Sequence, residues 1–491
     1  MKELVIHPIT RIEGHLSVRV LLEKDRVVDA WVQGTMFRGF EIILIGRNPV
    51  DAQFITSRIC GVCSLDHSIA TARALEDAFN VQPPPIAIVV RNIMQYTHWI
   101  YDHILHCMLL AGPDYGPPYG KIEDLAWLKG KGFIEALKMQ KLAMEAAAIF
   151  AGKLPHAASI LPGGISDIID IQKIMSFMYR VKQLKTWIDN YMIPLFDKLY
   201  EVYKDEMQYS GEREANLIAY GTFEDISLDP LKRALKPGVI IKGSLITNNL
   251  YDEIEPNIIE HVTHSWYTED SGGKPSEEGP PKVTFTGMNK NHKYSYIKAP
   301  RWKEYVVETG PLARMWSTAL QCGGKVRTDA GDWRPPKKPN TLERIYARAY
   351  ETAFAATKVL EEIDKLLDLF KEGNRDPWNP WEIPESSKGR GLVEAARGAL
   401  GHWIRIKKYV IDGYQVITPT AWNASPRDDK GRKGPLEEAL TNTPIVTKTD
   451  PTLDIVRVVR AFDPCLACAV HAYRGNEKIV ETILPTTRIK L

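Results

Sequence analysis

Two cysteine pairs, one near each end of the chain, constrain the fold more than any other feature. Cys60 and Cys63 stand in "RICGVC", and Cys465 and Cys468 stand in "DPCLACAVH". At this spacing two thiolates can share one metal ion, and firm binding usually takes more than two. If both pairs serve one site, the fold must bring together segments about 400 residues apart. The spacing therefore favours one interwoven domain over separable modules.

The four thiolates alone leave the metal open. Paired C-x-x-C motifs most often hold structural zinc, but zinc usually organises a small module, and 491 residues can bury a large core without a metal. A thioredoxin-like redox pair would explain only one motif at a time. Nickel, iron and copper(I) also accept soft thiolates. The remaining cysteines, Cys107 in "HILHCMLLAG" and Cys322 in "TALQCGGK", are expected to be small buried apolar residues.

Composition excludes several classes of protein. A formal net charge of +2 and 44 % apolar residues describe an ordinary globular chain, with no reason to expect nucleic acid as a partner. Six cysteines are too few for a disulfide framework. The first residues have no apolar core behind a basic start, and no apolar run is long enough to span a bilayer. We therefore expect neither an export signal of the chain's own nor a membrane span.

Hydrophobic periodicity predicts an α+β fold that is predominantly helical. Residues 16–34 alternate apolar and polar positions around a charged turn, which predicts a β-hairpin. Period-3.6 spacing predicts helices over 66–79, 87–111, 131–151, 168–205 and 340–372. Pro194 is expected to kink the fourth of these. Such long helices indicate a bundle core with small β elements, while the Gly- and Pro-rich stretch 264–302 is expected to extend over the surface.

Eight short motifs follow one another along the chain. They are "RIEGH", "RGFE", "RICGVC", "KAPRW…VVETGPLARMW", "EAARGALGHW", "TPTAWNASPRD", "GPLEEAL" and "DPCLACAVH". In this order they resemble the large, nickel-binding subunit of NiFe hydrogenases of the respiratory or uptake type, from about residue 5 to the end. The resemblance implies the fold of those subunits, in which both chain ends meet at the metal site, and a single domain over residues 1–471.

The resemblance implies a nickel-iron centre that catalyses reversible oxidation of hydrogen to protons and electrons. Cys60 and Cys465 would be terminal nickel ligands, and Cys63 and Cys468 would bridge nickel to an iron that carries carbon monoxide and cyanide. Splitting hydrogen also requires a nearby base, and the terminal thiolate of Cys465 is the expected proton acceptor. Glu13 in "RIEGH" matches the glutamate that takes this proton onward, for which its pKa must lie near the working pH.

Further residues match groups that surround the family's metals. Arg397 in "EAARGALGHW" matches an arginine suspended over them, and Asp463 and Asp114 match carboxylates that orient such an arginine. Ala396 stands where the family usually has proline. His67 matches a histidine close to the first cysteine pair.

Two more sets complete the implied site. Pro419 and Thr420 match the pair that lines the cyanide ligands, with the threonine hydroxyl as a donor. Glu41 of "RGFE", the backbone carbonyl of Val416 and His471 match a magnesium or iron site near the mature C-terminus, and oxygen and nitrogen ligands suit such a cation.

The resemblance also implies partners. Because no cysteines remain for iron-sulfur clusters, an iron-sulfur small subunit is required. A maturation endopeptidase, nickel-insertion chaperones and a membrane cytochrome subunit are further expected partners. Residues 472–491, which follow His471, are expected to be a precursor extension removed on maturation. The residues of these motifs favour a membrane-associated enzyme, exported with its small subunit, over a cytoplasmic one.

Two alternatives share this fold. The quinone-reducing subunit of respiratory complex I lacks the four cysteines, so their presence argues against it. A hydrogen-sensing regulatory protein would use the same site, but such sensors generally end at the histidine of the last motif without a tail.

Overall fold

The computed structural model describes residues 1–447 and 450–469, with the side chains of residues 468 and 469 excluded. The helices are α1 (Phe40–Ile43), α2 (Asp51–Thr56), α3 (Ser64–Phe79), α4 (Pro85–Ile104), α5 (Lys131–Ala151), α6 (Ile171–Trp187), α7 (Ile193–Tyr203), α8 (Pro311–Gln321), α9 (Thr341–Lys371), α10 (Pro419–Asn423), α11 (Pro435–Leu440), α12 (Pro451–Ala461) and α13 (Leu466–Ala469). Within the described ranges, none of these helices combines the length and apolarity needed to cross a membrane.

The strands form small antiparallel sheets. They are β1 (Lys2–Ile6), β2 (Leu16–Glu23), β3 (Arg26–Gly34), β4 (Ile160–Leu161), β5 (Gly164–Ile165), β6 (Leu217–Ala219), β7 (Gly238–Ile241), β8 (Ser244–Thr247), β9 (Ile258–His261), β10 (Ala299–Trp302), β11 (Val326–Thr328), β12 (Gly331–Trp333), β13 (Ser386–Ala395), β14 (Gly398–Lys407) and β15 (Val410–Ile417). The three-stranded sheets have the orders β1-β2-β3, β6-β7-β8 and β13-β14-β15. The predicted hairpin is β2 and β3, paired from Leu16 with Gly34 to Glu23 with Arg26.

The long helices confirm the predicted bundle. Helix α4 packs against α5 and α9, and α6 packs against both of these. A π-helical segment, Leu105–Ala111, continues α4 to the predicted end. Another, Ile188–Met192, separates α6 from α7, where Pro194 lies in the first turn. Proline has no N–H for the helical ladder, so the regular α-helix is interrupted just before it.

The sheet β13-β14-β15 was not predicted, although it carries part of the site. Strand β13 lies directly on α3, and a Cβ added at Gly391 would meet the carbonyl oxygen of Ala70 at 1.9 Å. Only glycine allows this approach. The hairpin between β13 and β14 then projects Ala396 and Arg397 toward the cysteines.

The stretch 264–302 differs from its prediction. It is largely irregular, but Trp266 and Tyr294 in it are buried. Their aromatic area is removed from water against the body of the protein, so the stretch is packed and does not simply extend over the surface.

Buried apolar residues form two clusters. The larger fills the helical bundle, and the smaller lies under β2 and β3 and against α12. Cys465 belongs to the larger cluster and the next residue, Leu466, to the smaller. The second cysteine motif therefore lies where the two meet.

Candidate metal centre

Three of the four predicted cysteine ligands converge in the structure. The sulfur atoms of Cys60, Cys63 and Cys465 all lie within 4.8 Å of one another, and each residue is at most 2 % exposed. Cys60 Sγ and Cys465 Sγ are 3.3 Å apart, well beyond the roughly 2.05 Å of a disulfide bond. Three buried soft donors around one point are a fitting set for a thiophilic transition metal. The side chain of Cys468 lies outside the described residues.

The first pair lies in a turn that favours thiolates. The backbone N–H groups of Val62 and Cys63 donate to Cys60 Sγ at 3.2 and 3.3 Å. Cys63 is also the N-cap of α3, where the helix dipole stabilises negative charge.

Arg38 of the "RGFE" motif joins the two cysteine segments. Its guanidinium donates to the carbonyl oxygens of Ile59 and Ala467 at 2.6 and 3.3 Å. Ile59 directly precedes Cys60, and Ala467 lies between the two cysteines of the second motif. The arginine therefore links both halves of the site and adds a positive charge close to the sulfurs. Arg38 was not among the predicted site residues, although its position three residues before Glu41 in a site motif was a usable signal.

The N-terminal segment pairs with the last cysteine motif. Glu13 and Cys465 form a parallel β-bridge, and Leu466 N–H donates to the carbonyl of Glu13 at 2.8 Å. Gly14 has a φ of +79°, and a Cβ there would lie 2.8 Å from atoms of Leu466 and Ala467. Glycine is therefore required both for the backbone conformation and for the contact.

The Glu13 carboxyl group contacts the predicted terminal ligand directly. Cys465 Sγ lies 3.1 Å from Glu13 Oε2, which also accepts from Ala467 N–H at 2.9 Å. Burial, and then the negative charge of Cys60, raise the pKa of Glu13, although the hydrogen bonds from Cys465 and Ala467 oppose this shift. The arrangement can pass a proton between sulfur and carboxyl oxygen.

Arg397 is buried above the same sulfurs, held by two carboxylates. Its Nη1 donates to Asp102 Oδ2 at 2.9 Å, and its Nε lies 3.1 Å from Asp463 Oδ2. Burial alone would lower the pKa of Arg397, but Asp102 and Asp463, followed by Cys465 and Cys63, raise it well above its usual value. The guanidinium remains charged and offsets negative charge on the thiolates.

Asp114 does not occupy the predicted position. Instead of orienting Arg397, it accepts two hydrogen bonds from Arg460 Nη1 at 2.8 Å and pairs with Arg11. Arg460 in turn donates to the Thr10 carbonyl at 3.0 Å. Asp114 therefore fastens the N-terminal segment to α12, and Asp102 takes the role expected of it. Asp102 could have been suspected as an acidic residue on the apolar face of α4.

Asp463 adopts the left-handed conformation, with a φ of +50°. Burial would raise its pKa, but Arg397, His106 and Arg348 lower it overall. The carboxylate is therefore charged and faces the arginines.

Pro419 and Thr420 begin α10, behind Cys465. Both are buried, and the hydroxyl oxygen of Thr420 accepts from Cys465 N–H at 2.9 Å. This bond fixes the backbone of the ligand. The prediction that Thr420 donates to cyanide is not tested by this contact.

His67 lies in the first turns of α3, close to the first pair. Its Nδ1 is 3.1 Å from His402 Nε2, and its backbone N–H reaches the Cys63 carbonyl at 3.4 Å. Burial lowers the pKa of His67 to about 4, with Cys60 opposing the shift. The imidazole is neutral and supports the cysteine turn.

Glu41 lies in a buried charged group. Burial raises its pKa to about 7; Lys298 opposes this shift and Glu260 adds to it, while a backbone hydrogen bond from Val416 favours the charged form. Lys298 also pairs with Glu260 at 3.1 Å. A buried acidic site beside the backbone of Val416 is suited to a hard cation. His471, the third predicted ligand, lies outside the described residues.

The two remaining cysteines behave differently from each other. Cys107 is buried, as expected, and burial raises its pKa to about 12. Cys322 is exposed, so its prediction is wrong. It follows the end of α8 and precedes Gly323 and Gly324, where the chain leaves the core.

A buried thiol cluster assembled from both ends of one long chain defines a metalloenzyme subunit rather than a local zinc module. The family model described as nickel-dependent hydrogenase matches residues 38–120 and 121–471, and one described as HoxL-like matches residues 3–35. The chain therefore belongs to the nickel-dependent hydrogenase family, as a large subunit.

Relatives of known identity resemble nearly the whole chain. The uptake hydrogenase large subunit of Bradyrhizobium diazoefficiens is 34 % identical, over 96 % of this chain and 95 % of the relative. The hydrogenase-1 large chain of Citrobacter freundii is 32 % identical over the same shares. The actinobacterial-type NiFe-hydrogenase structure from Ralstonia eutropha H16 covers 96 % of this chain and 100 % of its own, with a TM-score of 0.90 and 27 % identity. The predicted fold is confirmed.

Proposed function

We propose that the chain catalyses reversible hydrogen oxidation at a nickel-iron centre and passes the electrons to an iron-sulfur small subunit. The observation that carries this proposal is the buried cluster of Cys60, Cys63 and Cys465, with Glu13 in contact with one of its sulfurs. The uptake type is supported by the names of the relatives.

Nickel and iron fit the residues present. Cys60 and Cys465 would be terminal nickel ligands, and Cys63 with Cys468 would be shared with an iron carrying carbon monoxide and cyanide. When bound, the centre supplies the redox chemistry that takes up the electrons of hydrogen. The complex I alternative is disfavoured, because the cysteine cluster and the family match both point to hydrogenases.

The chain's own residues handle the proton. The Cys465 sulfur receives it, and Glu13 Oε2, 3.1 Å away, takes it toward solvent. Glu13 is partly exposed, whereas Cys465 is fully buried, so the pair links the interior to the surface. Arg397 balances the charge of the thiolates while the proton moves.

We also infer a magnesium or iron site formed by Glu41, the Val416 carbonyl and His471. The burial of Glu41 beside Glu260 supports a cation there, because a bound cation would compensate the acidic charge.

The small subunit, the maturation endopeptidase, the nickel-insertion chaperones and a membrane cytochrome subunit are the proposed partners. The proposed location is the membrane, reached through those subunits. The family match ends at residue 471, in keeping with cleavage after His471 and loss of residues 472–491. The bridge between Glu13 and Cys465 supports a single domain over residues 1–471.

The test is metal analysis of the purified complex with its small subunit, together with infrared bands of bound carbon monoxide and cyanide and hydrogen-dependent dye reduction. Cys60→Ser should lose nickel and activity. Cys322→Ser, at an exposed cysteine outside the cluster, is the matched control and should keep both. A zinc-only protein, or equal loss in both variants, would contradict the proposal.

A further inference from the structure

The hairpin turn that carries Arg397 is part of a closed ring of polar contacts. Arg397 and Arg348 both approach Asp463 Oδ2, at 3.1 and 3.2 Å. From there the contacts continue through α9, α4 and α8 and return to the same turn. The members of the ring are Arg397, Asp463, Arg348, His103, Glu351 and Arg314.

The middle of the ring depends on one neutral histidine. Arg348 Nη1 lies 3.1 Å from His103 Nδ1, and His103 Nε2 lies 2.8 Å from Glu351 Oε2. Since arginine can only donate and a carboxylate can only accept, Nδ1 is the acceptor and Nε2 carries the hydrogen. Burial lowers the pKa of His103 to about 4, although Glu351 opposes the shift. The neutral histidine therefore connects the Arg348 guanidinium to the Glu351 carboxylate and fixes the orientation of each.

The ring closes on the backbone of the Arg397 turn. Arg314 binds Glu351 in a fork, with both contacts at 2.6 Å. The same guanidinium donates to the carbonyl oxygens of Ala395 and Ala396 at 2.9 and 2.7 Å. The turn is thus held through its side chain on one side and its carbonyl groups on the other.

A separate contact fixes the remaining backbone group of Ala396. Its N–H donates to Asp66 Oδ2 at 3.2 Å, a bond that proline, the usual family residue here, could not make. With alanine at this position, the turn is held by hydrogen bonds rather than by a proline ring.

We propose that Arg348, His103, Glu351 and Arg314 are positioning residues that hold Arg397 and Asp463 in register over the cysteine cluster. The expected effect on turnover rests on the proposed function, whereas the expected effect on the structure of the β13–β14 turn does not. Fully buried polar networks are worth more than their separate contacts, and groups that orient the surroundings of a metal typically change activity by about 10- to 100-fold when altered.

The test compares Arg348→Lys with Arg344→Lys. Arg344 lies one turn earlier on α9, is also buried and binds Glu308 in a fork, but it is outside the ring. Lysine keeps the positive charge at either position but not the guanidinium geometry. Arg344→Lys loses the fork to Glu308, and Arg348→Lys loses the paired contacts of Nη1 with His103 and Asp463. Arg348→Lys should lower kcat for hydrogen oxidation about 10- to 100-fold with nickel content unchanged. It should also shift the infrared bands of the cyanide and carbon monoxide ligands, whereas Arg344→Lys should do neither.

A second readout uses the protein without metal. Hydrogen exchange followed by mass spectrometry should show faster exchange in the β13–β14 turn in Arg348→Lys than in the parent or in Arg344→Lys. If Arg348→Lys is recovered without nickel, Glu351→Gln, which keeps the side-chain shape, decides the catalytic question.

Unchanged exchange and unchanged turnover in the ring variants, or equal effects in Arg344→Lys, would overturn the proposal. A parent complex that binds nickel but consumes no hydrogen would refute the proposed function alone. The hydrogen-exchange measurement on the β13–β14 turn would still test the role of the ring residues.

Discussion

Replacing Glu13 by glutamine isolates its proposed role in proton transfer. Glutamine has nearly the same shape, and its amide oxygen can still accept from Ala467 N–H, which Glu13 now binds at 2.9 Å. It cannot take up a proton from Cys465 Sγ at 3.1 Å. The substitution therefore removes proton acceptance while leaving the neighbouring backbone contact intact.

The expected loss follows from this geometry. A positioned general base contributes about 10²- to 10⁴-fold, so kcat should fall at least about 100-fold in Glu13→Gln. Because the pKa of Glu13 is already raised by burial, loss of its charge should not destabilise the fold. Since the glutamine oxygen keeps the hydrogen bond from Ala467 N–H, we expect the free energy of unfolding to change by no more than about 1 kcal/mol.

The assay is hydrogen-dependent dye reduction and exchange between hydrogen gas and deuterated water, with nickel measured in the same samples. Glu145→Gln, at an exposed position on α5, is the control and should behave as the parent. If Glu13→Gln keeps full nickel and also full exchange and turnover, the proton does not pass through this carboxyl group.

Three further predictions concern stability. Gly14→Ala should lower the unfolding free energy by about 1–3 kcal/mol and lower nickel content, whereas Gly46→Ala, with a φ of +78° but nothing within 4 Å of the added Cβ, should cost less; equal losses in thermal unfolding would contradict the contact. Thr420→Val should leave the buried N–H of Cys465 without its acceptor and lower the unfolding free energy by about 1–3 kcal/mol. Thr420→Ser, which keeps the hydroxyl, should retain the stability of the parent. Burial raises the pKa of Glu437 from 4.5 to about 7, so the folded state holds a proton that the unfolded chain releases, and stability should fall as pH rises through this window. Glu437→Gln should remove up to about 3 kcal/mol of that dependence in denaturant titrations, and an unchanged pH profile would refute the assignment.

The long helices could be predicted because each buries one face. In α9 the apolar positions recur at helical spacing and Asn340 caps the start through Glu343 N–H. The sheet β13-β14-β15 escaped prediction because both faces of β14 are largely buried, so its sequence lacks the alternation that marks a half-exposed strand. The glycines of β13 are typical of loops, although in this sheet they allow the close contact with α3.

Some residues of the site could be predicted from the sequence and others could not. The cysteine pairs could be predicted because their spacing is local, and Glu13 and Arg397 because they lie in distinctive motifs. The choice between Asp102 and Asp114 could not be made from the sequence. Asp102 lies in α4 and Asp114 lies just beyond its π-helical continuation, and only the folded chain shows which of them faces Arg397. The prediction for Cys322 was wrong because a cysteine directly after a helix end can face either the core or solvent.

The parallel bridge between Glu13 and Cys465 has a consequence for biosynthesis. At about 5–20 residues per second, the first partner waits for tens of seconds before the second has been synthesised. Closing so long a loop also has an entropic cost that precedes any gain from the contact. The two segments should therefore join late, after the helical bundle has formed. A chain that stops before residue 465 lacks the second cysteine motif and cannot complete the site, so an assembled cysteine cluster indicates that synthesis has passed this motif.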